Sequence, residues 1–319
     1  MLSIVLALPA FIVGIILLWK GSDILIEGTS KTAVQLGISS LIISVIIVGF
    51  GTSSPEFAVS VGAAIQKNSD ISLGNIIGSC VANILLVLGV SSIVRPIKIK
   101  QGIIRREYLI MLGATVVLLI SSFFGLLDTY RLIGGVVFLV LFAGFVGYFI
   151  ICAKNERVKR GKIDFGKTQK NIIFMILGIV GVIVGAWLLI NSSITIAEYL
   201  GISTFIIALS MVAVGTSIPE LVVSSMAAYK HESDIAVGNV LGSNVFNILL
   251  ILGFAALFIP LNADIPESMA HLWILLAITL IMFPLLYTGQ SISRREGVFM
   301  LAIYSVFIWY IFFGYKLFF

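Results

Sequence analysis

Charged side chains are scarce in this chain. Only 11% of its 319 residues are Asp, Glu, Lys or Arg, against roughly 25% in a soluble domain. Cysteine and histidine are nearly missing, at two residues each. Cys80 and Cys152 fall in different predicted helices and read as small buried apolar groups, not as a disulfide framework. His231-Glu232 lacks the second histidine that a zinc HExxH motif requires. No GxGD-type motif of an intramembrane aspartyl protease is present, so no enzyme is expected. The N-terminus lacks a basic leader region, and the first apolar stretch is long enough to span a bilayer, so no cleavable signal peptide is expected.

What fills the sequence is apolar. Hydrophobic residues make up 60% of the chain, and the mean hydropathy is +1.16. A chain this apolar cannot hide its side chains in one water-soluble core, so lipid must serve as part of its solvent. A helix needs about 20 apolar residues to cross the hydrocarbon. About ten such stretches can be drawn, near 2–30, 41–66, 71–94, 104–124, 131–153, 171–199, 204–229, 235–259, 268–288 and 296–317. The expected fold is therefore an all-α polytopic membrane protein.

The basic residues follow the loops, which makes nucleic acid a poor partner despite the net charge of +5. The stretch Lys154 to Lys170 holds Arg157, Lys159, Arg160, Lys162 and Lys167, and the positive-inside rule places it in the cytoplasm. Counting outward with ten helices puts about 16 of the 20 Lys and Arg on that side, and both termini outside. A multi-pass protein of the cell membrane is expected. Lipid is its surrounding partner, and no obligate protein partner is evident.

Shifted by 164 positions, the sequence matches itself. Residues 49–89 and 213–253 are identical at about 23 of 41 positions without a gap, which chance does not give. The same offset aligns Gly21 with Gly185 and Pro96 with Pro260. The expected division is a first repeat at 1–153, a basic cytoplasmic linker at 154–170 and a second repeat at 171–319. Five helices per half is an odd number, so the second half enters from the opposite side. The repeats are thus inverted, with interrupted helices at the membrane midplane.

Within the repeat, GTSSPE (Gly51–Glu56) answers GTSIPE (Gly215–Glu220). Pro55 and Pro219 each remove a backbone donor and crowd the carbonyl four residues earlier. Carbonyls freed at that depth are tolerated only where they line a cavity or bind something. Thr52, Ser53, Thr216 and Ser217 add hydroxyls, and Glu56 and Glu220 add carboxylates. A charge at the bilayer centre costs at least about 2.5–3.5 kcal/mol. The two carboxylates could share protons, or a cation could neutralise them. Carboxylates, hydroxyls and carbonyls are hard oxygen ligands, which suit calcium and sodium and suit magnesium less well. A second repeated motif, GNxxGSxxxN, supplies Asn75, Ser79 and Asn83, and again Asn239, Ser243 and Asn247. Ser79 and Asn83 are four apart and share a helix face.

Blander readings apply to several of these groups. A structural salt bridge for Glu56 or Glu220 is disfavoured, because no basic residue lies near them in either predicted helix. The serines could hydrogen-bond back to their own helices. Asn75 and Asn239 read equally well as packing groups and as ligands. Asp23 and Glu27, beside Lys20, read as a local ion pair or as interfacial residues.

The paired GTSxPE and GNxxGS motifs resemble the alpha-repeats of the sodium/calcium exchangers in the calcium/cation antiporter superfamily. The resemblance covers essentially the whole chain. It implies sodium-driven calcium antiport by alternating access, with the long first and sixth helices sliding against the rest and no cofactor beyond the transported ions. By motif position it implies calcium ligands at Thr52, Glu56, Thr216 and Glu220. The implied sodium ligands are Gly49, Thr52, Ser53, Glu56, Ser79 and Asn83 in the first repeat. In the second they are Ala213, Thr216, Ser217, Glu220, Ser243 and Asn247. Asn247 stands where some members, including the potassium-dependent branch, carry Asp, so the resemblance points away from potassium co-transport. A proton/cation exchanger of the same superfamily is the alternative reading, and a cation channel using the same oxygens is a further one.

Overall fold

The computed structural model describes residues 4–100, 102, 104–157, 165–199, 215–287 and 290–311. They form an all-α bundle with one short strand pair. Helix α1 is Ile4–Leu36. A broken span follows, α2 (Ser40–Thr52) and α3 (Ser54–Ile65), bent by 48° at the break. Then come α4 (Ser69–Val94), α5 (Leu109–Phe123) and α6 (Arg131–Arg157). The second half holds α7 (Phe165–Tyr199), α8 (Ile218–Tyr229), α9 (Ser233–Phe258), α10 (Pro266–Tyr287) and α11 (Arg294–Trp309). Seven helices among the described residues are long and apolar enough to cross a membrane, and the bent pair makes an eighth span. The seventh and tenth expected spans are described only in part.

Several boundaries differ from expectation. α1 runs to Leu36, because Ser30 and Lys31 sit inside the helix and Gly37 (φ 67°) ends it. The expected linker is helical at both ends, through Arg157 and from Phe165, while 158–164 lies outside the described residues.

Burial sorts the helices by role. In their most apolar stretches α4 and α9 are 78% and 83% buried, whereas the corresponding stretch of α6 is 17% buried. The pseudo-symmetric pair α4 and α9, which carries the GNxxGS motifs, is therefore the centre of the bundle. α6 is a peripheral helix, with Val140 and Ile151 turned outward.

α1 and α7 form a unit of their own. They pack antiparallel along a seam of small residues. A Cβ on Gly14 would lie 2.8 Å from the Leu189 backbone nitrogen, and one on Gly178 would lie 2.6 Å from that of Leu25. Backbone meets backbone there, which only glycine permits. The seam is itself repeated, since Gly14 and Gly21 take the places of Gly178 and Gly185 under the 164 offset. Leu18, Leu25, Met175 and Val182 belong to a second core cluster, which Ile43 and Val48 of α2 and Val223 of α8 join from the bundle.

Short polar ties join this unit to the bundle on the expected cytoplasmic side. Asp23 pairs with Lys230 across the two halves, not with the neighbouring Lys20, while Glu27 pairs locally with Lys31. Ser30 donates to Glu232 at 2.7 Å. Lys100 pairs with Asp234, and strands β1 (Ile97–Lys98) and β2 (Ser291–Ile292) join the halves antiparallel, with Ile97 opposite Ile292. On the other side Asp128 accepts from the Ala263 and Asp264 amides at 3.0 and 3.2 Å. Burial, with Asp264 beside it, pushes the Asp128 carboxyl above its ordinary range.

Candidate ion-binding site

The first GTSxPE segment breaks its helix instead of kinking it, and the second makes the same turn before its helix. Ser53 (φ −82°, ψ 7°) and Ser217 (φ −86°, ψ 6°) leave helical geometry and become the residues before α3 and α8. The prolines then sit in a first turn, where a missing N–H costs nothing. The expected clash with Gly51 and Gly215 is relieved by this break. Glu56 and Glu220 occupy the same first turns. A helix N-terminus presents free N–H groups and a partial positive charge, which favours a carboxylate by about 0.3–1 kcal/mol. The break thus offsets part of the cost of placing an acid at this depth.

Both carboxylates are fully buried, as are Asn83, Asn247 and Ser243. They lie within electrostatic reach of each other. Around Glu220 the donors converge from both halves. Its Oε1 accepts from Ser53 at 3.1 Å and from Ser243 at 3.3 Å. Ser243 also lies 3.4 Å from the Gly49 carbonyl oxygen and from the Thr52 hydroxyl. On the pseudo-symmetric side Ser79 and Thr216 are 3.2 Å apart. The Ser79 and Thr216 hydroxyls face Glu56, but neither of its oxygens makes a close hydrogen bond among the described residues, and Glu220 Oε2 likewise makes none. The counterpart of the Ser53–Glu220 bond, from Ser217 to Glu56, is not made among them. Orphaned acceptors on two buried acids are the signature of a place built for a cation.

The remaining sequence-predicted groups fall nearby or outside view. Asn83 begins a π-helical turn, Asn83–Val87, and Asn247 is the second residue of another, Phe246–Ile251. Such turns expose backbone carbonyls and recur at functional sites. Asn83 donates to Asn244 Oδ1 at 3.1 Å, and Asn83 Oδ1 is left without a partner among the described residues, as are both polar atoms of the Asn247 amide. Ala213 lies outside the described residues.

Three polar groups were not singled out by the sequence patterns. Asn244 takes the place of Cys80 under the 164 offset, so its departure from the repeat was the available signal. Ser60 and Ser224 occupy equivalent positions and were legible as identities in the repeat. They accept from the Asn75 and Asn239 amides at 2.9 and 3.0 Å. No cluster of three or more His, Cys, Asp or Glu exists among the described residues. The donor set is therefore two acids in a field of neutral oxygens, which is hard-cation chemistry.

Comparison with known proteins agrees with this geometry. A family model described as sodium/calcium exchanger protein matches residues 6–151 and 170–313. The chain is 32% identical over 337 residues to the sodium/calcium exchanger MaX1 of Methanosarcina acetivorans, covering 93% of this chain and 96% of that one. Among solved structures it resembles the sodium-calcium exchanger NCX_Mj soaked with 10 mM Na+ and zero Ca2+, with a TM-score of 0.84 and 32% identity. That likeness covers 95% of this chain and 98% of the other. The human sodium/potassium/calcium exchanger 1 is 31% identical over 151 residues, 44% of this chain and 14% of that protein.

Proposed function

The chain belongs to the sodium/calcium exchanger family of membrane transporters, and on that premise we propose that it exchanges sodium for calcium by alternating access, electrogenically and without potassium. The observation that carries the reading is the pair of buried carboxylates, Glu56 and Glu220, brought from inverted halves to one oxygen-lined centre. Calcium takes 6–8 oxygens, and two full negative charges balance it. Thr52, Glu56, Thr216 and Glu220 supply its ligands. Sodium uses overlapping groups: Gly49, Thr52, Ser53, Glu56, Ser79 and Asn83 from one half, with Ala213, Thr216, Ser217, Glu220, Ser243 and Asn247 from the other. Because both ions need the same two carboxylates, each must leave before the other binds. That competition is what makes an exchanger.

The neutral amides of Asn83 and Asn247 extend the donor set beyond the two charges. They let sodium ions outnumber the carboxylates, which is the basis for an electrogenic cycle. Asn247 adds no third negative charge, and this supports independence from potassium. The close-packed α1–α7 pair is the body that slides between the two access states, moving against the α2 and α8 side chains Ile43, Val48 and Val223 that share its core cluster. Basic loops place the 94–104 and 154–170 segments in the cytoplasm of a cell-membrane protein, with both termini outside.

Purified protein in sodium-loaded liposomes tests this. Calcium uptake should require the outward sodium gradient, respond to membrane voltage, and persist when choline replaces potassium. Glu56→Gln or Glu220→Gln should abolish it. Uptake driven by a pH gradient in sodium-free buffer would mean that protons, not sodium, are the exchanged ion. Calcium flux indifferent to both gradients would overturn antiport.

A further inference from the structure

A hydroxyl binds a cation only through its lone pairs, so its proton must be donated elsewhere. At Thr52 and Thr216 that acceptor is an asparagine from the opposite half. Thr52 Oγ1 lies 2.9 Å from Asn239 Oδ1, closer than its own-helix acceptors Val48 O at 3.1 Å and Gly49 O at 3.3 Å. Thr216 Oγ1 lies 3.3 Å from Asn75 Oδ1, which can only accept, and 3.2 Å from Ser79 Oγ, which can donate to it. An amide can turn over and present its NH2 in place of its oxygen, which would force the threonine to accept and aim its proton at the ion. A second bond prevents this. Asn239 Nδ2 donates to Ser224 Oγ at 3.0 Å, and Ser224 itself donates to the Ala236 carbonyl at 3.4 Å, so the serine is held as an acceptor. Asn75 Nδ2 donates to Ser60 Oγ at 2.9 Å and faces the Glu56 backbone carbonyl, which can only accept, at 3.5 Å. Asn75, Asn239, Ser60 and Ser224 are all fully buried, where a misdirected polar group is costly.

We propose that Asn75 and Asn239 are positioning residues that turn the Thr216 and Thr52 hydroxyl protons away from the ion. Ser60 and Ser224 fix the orientation of the two amides. The relay runs in one direction, from threonine to asparagine oxygen and from asparagine amide to serine. It crosses the repeat boundary twice, so each half sets the hydroxyl that the other half contributes. The proposal rests on the exchange reading, which makes these threonines calcium ligands.

The test measures calcium binding by the purified full-length protein and calcium-dependent exchange in liposomes. Ser60→Ala and Ser224→Ala touch no ion and remove little volume, and each should weaken calcium binding by about 2–10-fold, the worth of one hydrogen bond. Their KM for calcium should rise by that factor while kcat stays within about twofold. Asn75→Leu should lose its effect in a Thr216→Val background, and Asn239→Leu in a Thr52→Val background. The crossed pairs, Asn75→Leu with Thr52→Val and Asn239→Leu with Thr216→Val, should add. Additive matched pairs, or serine variants with wild-type calcium affinity, would overturn the positioning role while leaving exchange intact. A wild type that binds no calcium would overturn both.

Discussion

Glu56 and Glu220 are equivalent in sequence and unequal in space. Glu220 Oε1 accepts from Ser53 and Ser243, whereas neither oxygen of Glu56 makes a close hydrogen bond among the described residues. A buried acceptor without a partner costs about 1–3 kcal/mol, and more when charged. Replacing each acid by glutamine should therefore raise the melting temperature in buffer free of sodium and calcium, with Glu56→Gln gaining more than Glu220→Gln. Added calcium should stabilise the wild type by mass action and leave both variants unmoved. Thermal melts in detergent, with and without calcium, check this. A Glu56→Gln protein that melts below the ion-free wild type would contradict the unpaired state. At this scale the sequence showed which groups were unusual, through the repeat and the intramembrane acids. It did not show the asymmetry, because partners such as Ser53 for Glu220 lie 167 positions apart.

Among the elements, the two helix pairs α3–α4 and α8–α9 turn in the same manner. Lys67 (φ 62°) and His231 (φ 66°) are equivalent residues in the left-handed region. Each donates to the carbonyl three residues back, at 3.0 and 3.1 Å. The following residues, Asn68 and Glu232, reach back to Ala63 and Ala227 at 2.9 and 2.8 Å. This is a Schellman-type end that favours glycine, since a side chain there costs about 1–2 kcal/mol. Lys67→Gly should stabilise the protein by about 1 kcal/mol, measured as a shift in melting temperature. His231→Gly should do the same, since the His231 side chain makes no hydrogen bond or ion pair among the described residues. Most elements were legible from their apolar runs. The helix breaks at Ser53 and Ser217 were half legible: proline marked them, but mid-helix proline predicts a kink. At Ser53 the chain opens into two separate helices, and Ser53 itself bonds to Glu220 of the opposite half.

At the scale of the whole molecule, two of the surfaces along which the halves meet differ in character. One is the central pair α4 and α9 with its polar contents. The other is the glycine seam between α1 and α7. A Cβ at Gly178 would lie 2.6 Å from the Leu25 nitrogen, and backbone atoms cannot step aside as a side chain can. Gly178→Val should thus push the two helices apart, destabilise the protein by about 1–3 kcal/mol or more and lower exchange. Gly144 on α6 has no described atom within 4 Å of the position a Cβ would take. Gly144→Ala should be neutral or stabilising by up to about 1 kcal/mol. Melting temperature and transport rate of the two variants give the comparison. Equal tolerance at both positions would mean that α1 and α7 do not move as one packed body.

The sequence alone determined the solvent, the repeat and the chemistry of the site. Apolar composition, identity at a fixed offset and ligand type are properties of residues in order, and none requires knowing which residues touch. Tertiary structure decided what depends on proximity between distant segments. It separated an acid held closely by two serines from one that no described donor holds as closely, gave Asp23 the partner Lys230 from the other half, and set Asn75 and Asn239 against the threonines of the opposite repeat. The physical reason is that hydrogen bonds and charge pairs act over a few ångströms. An inverted repeat brings residues more than a hundred positions apart within that range, and the linear sequence records only the ingredients.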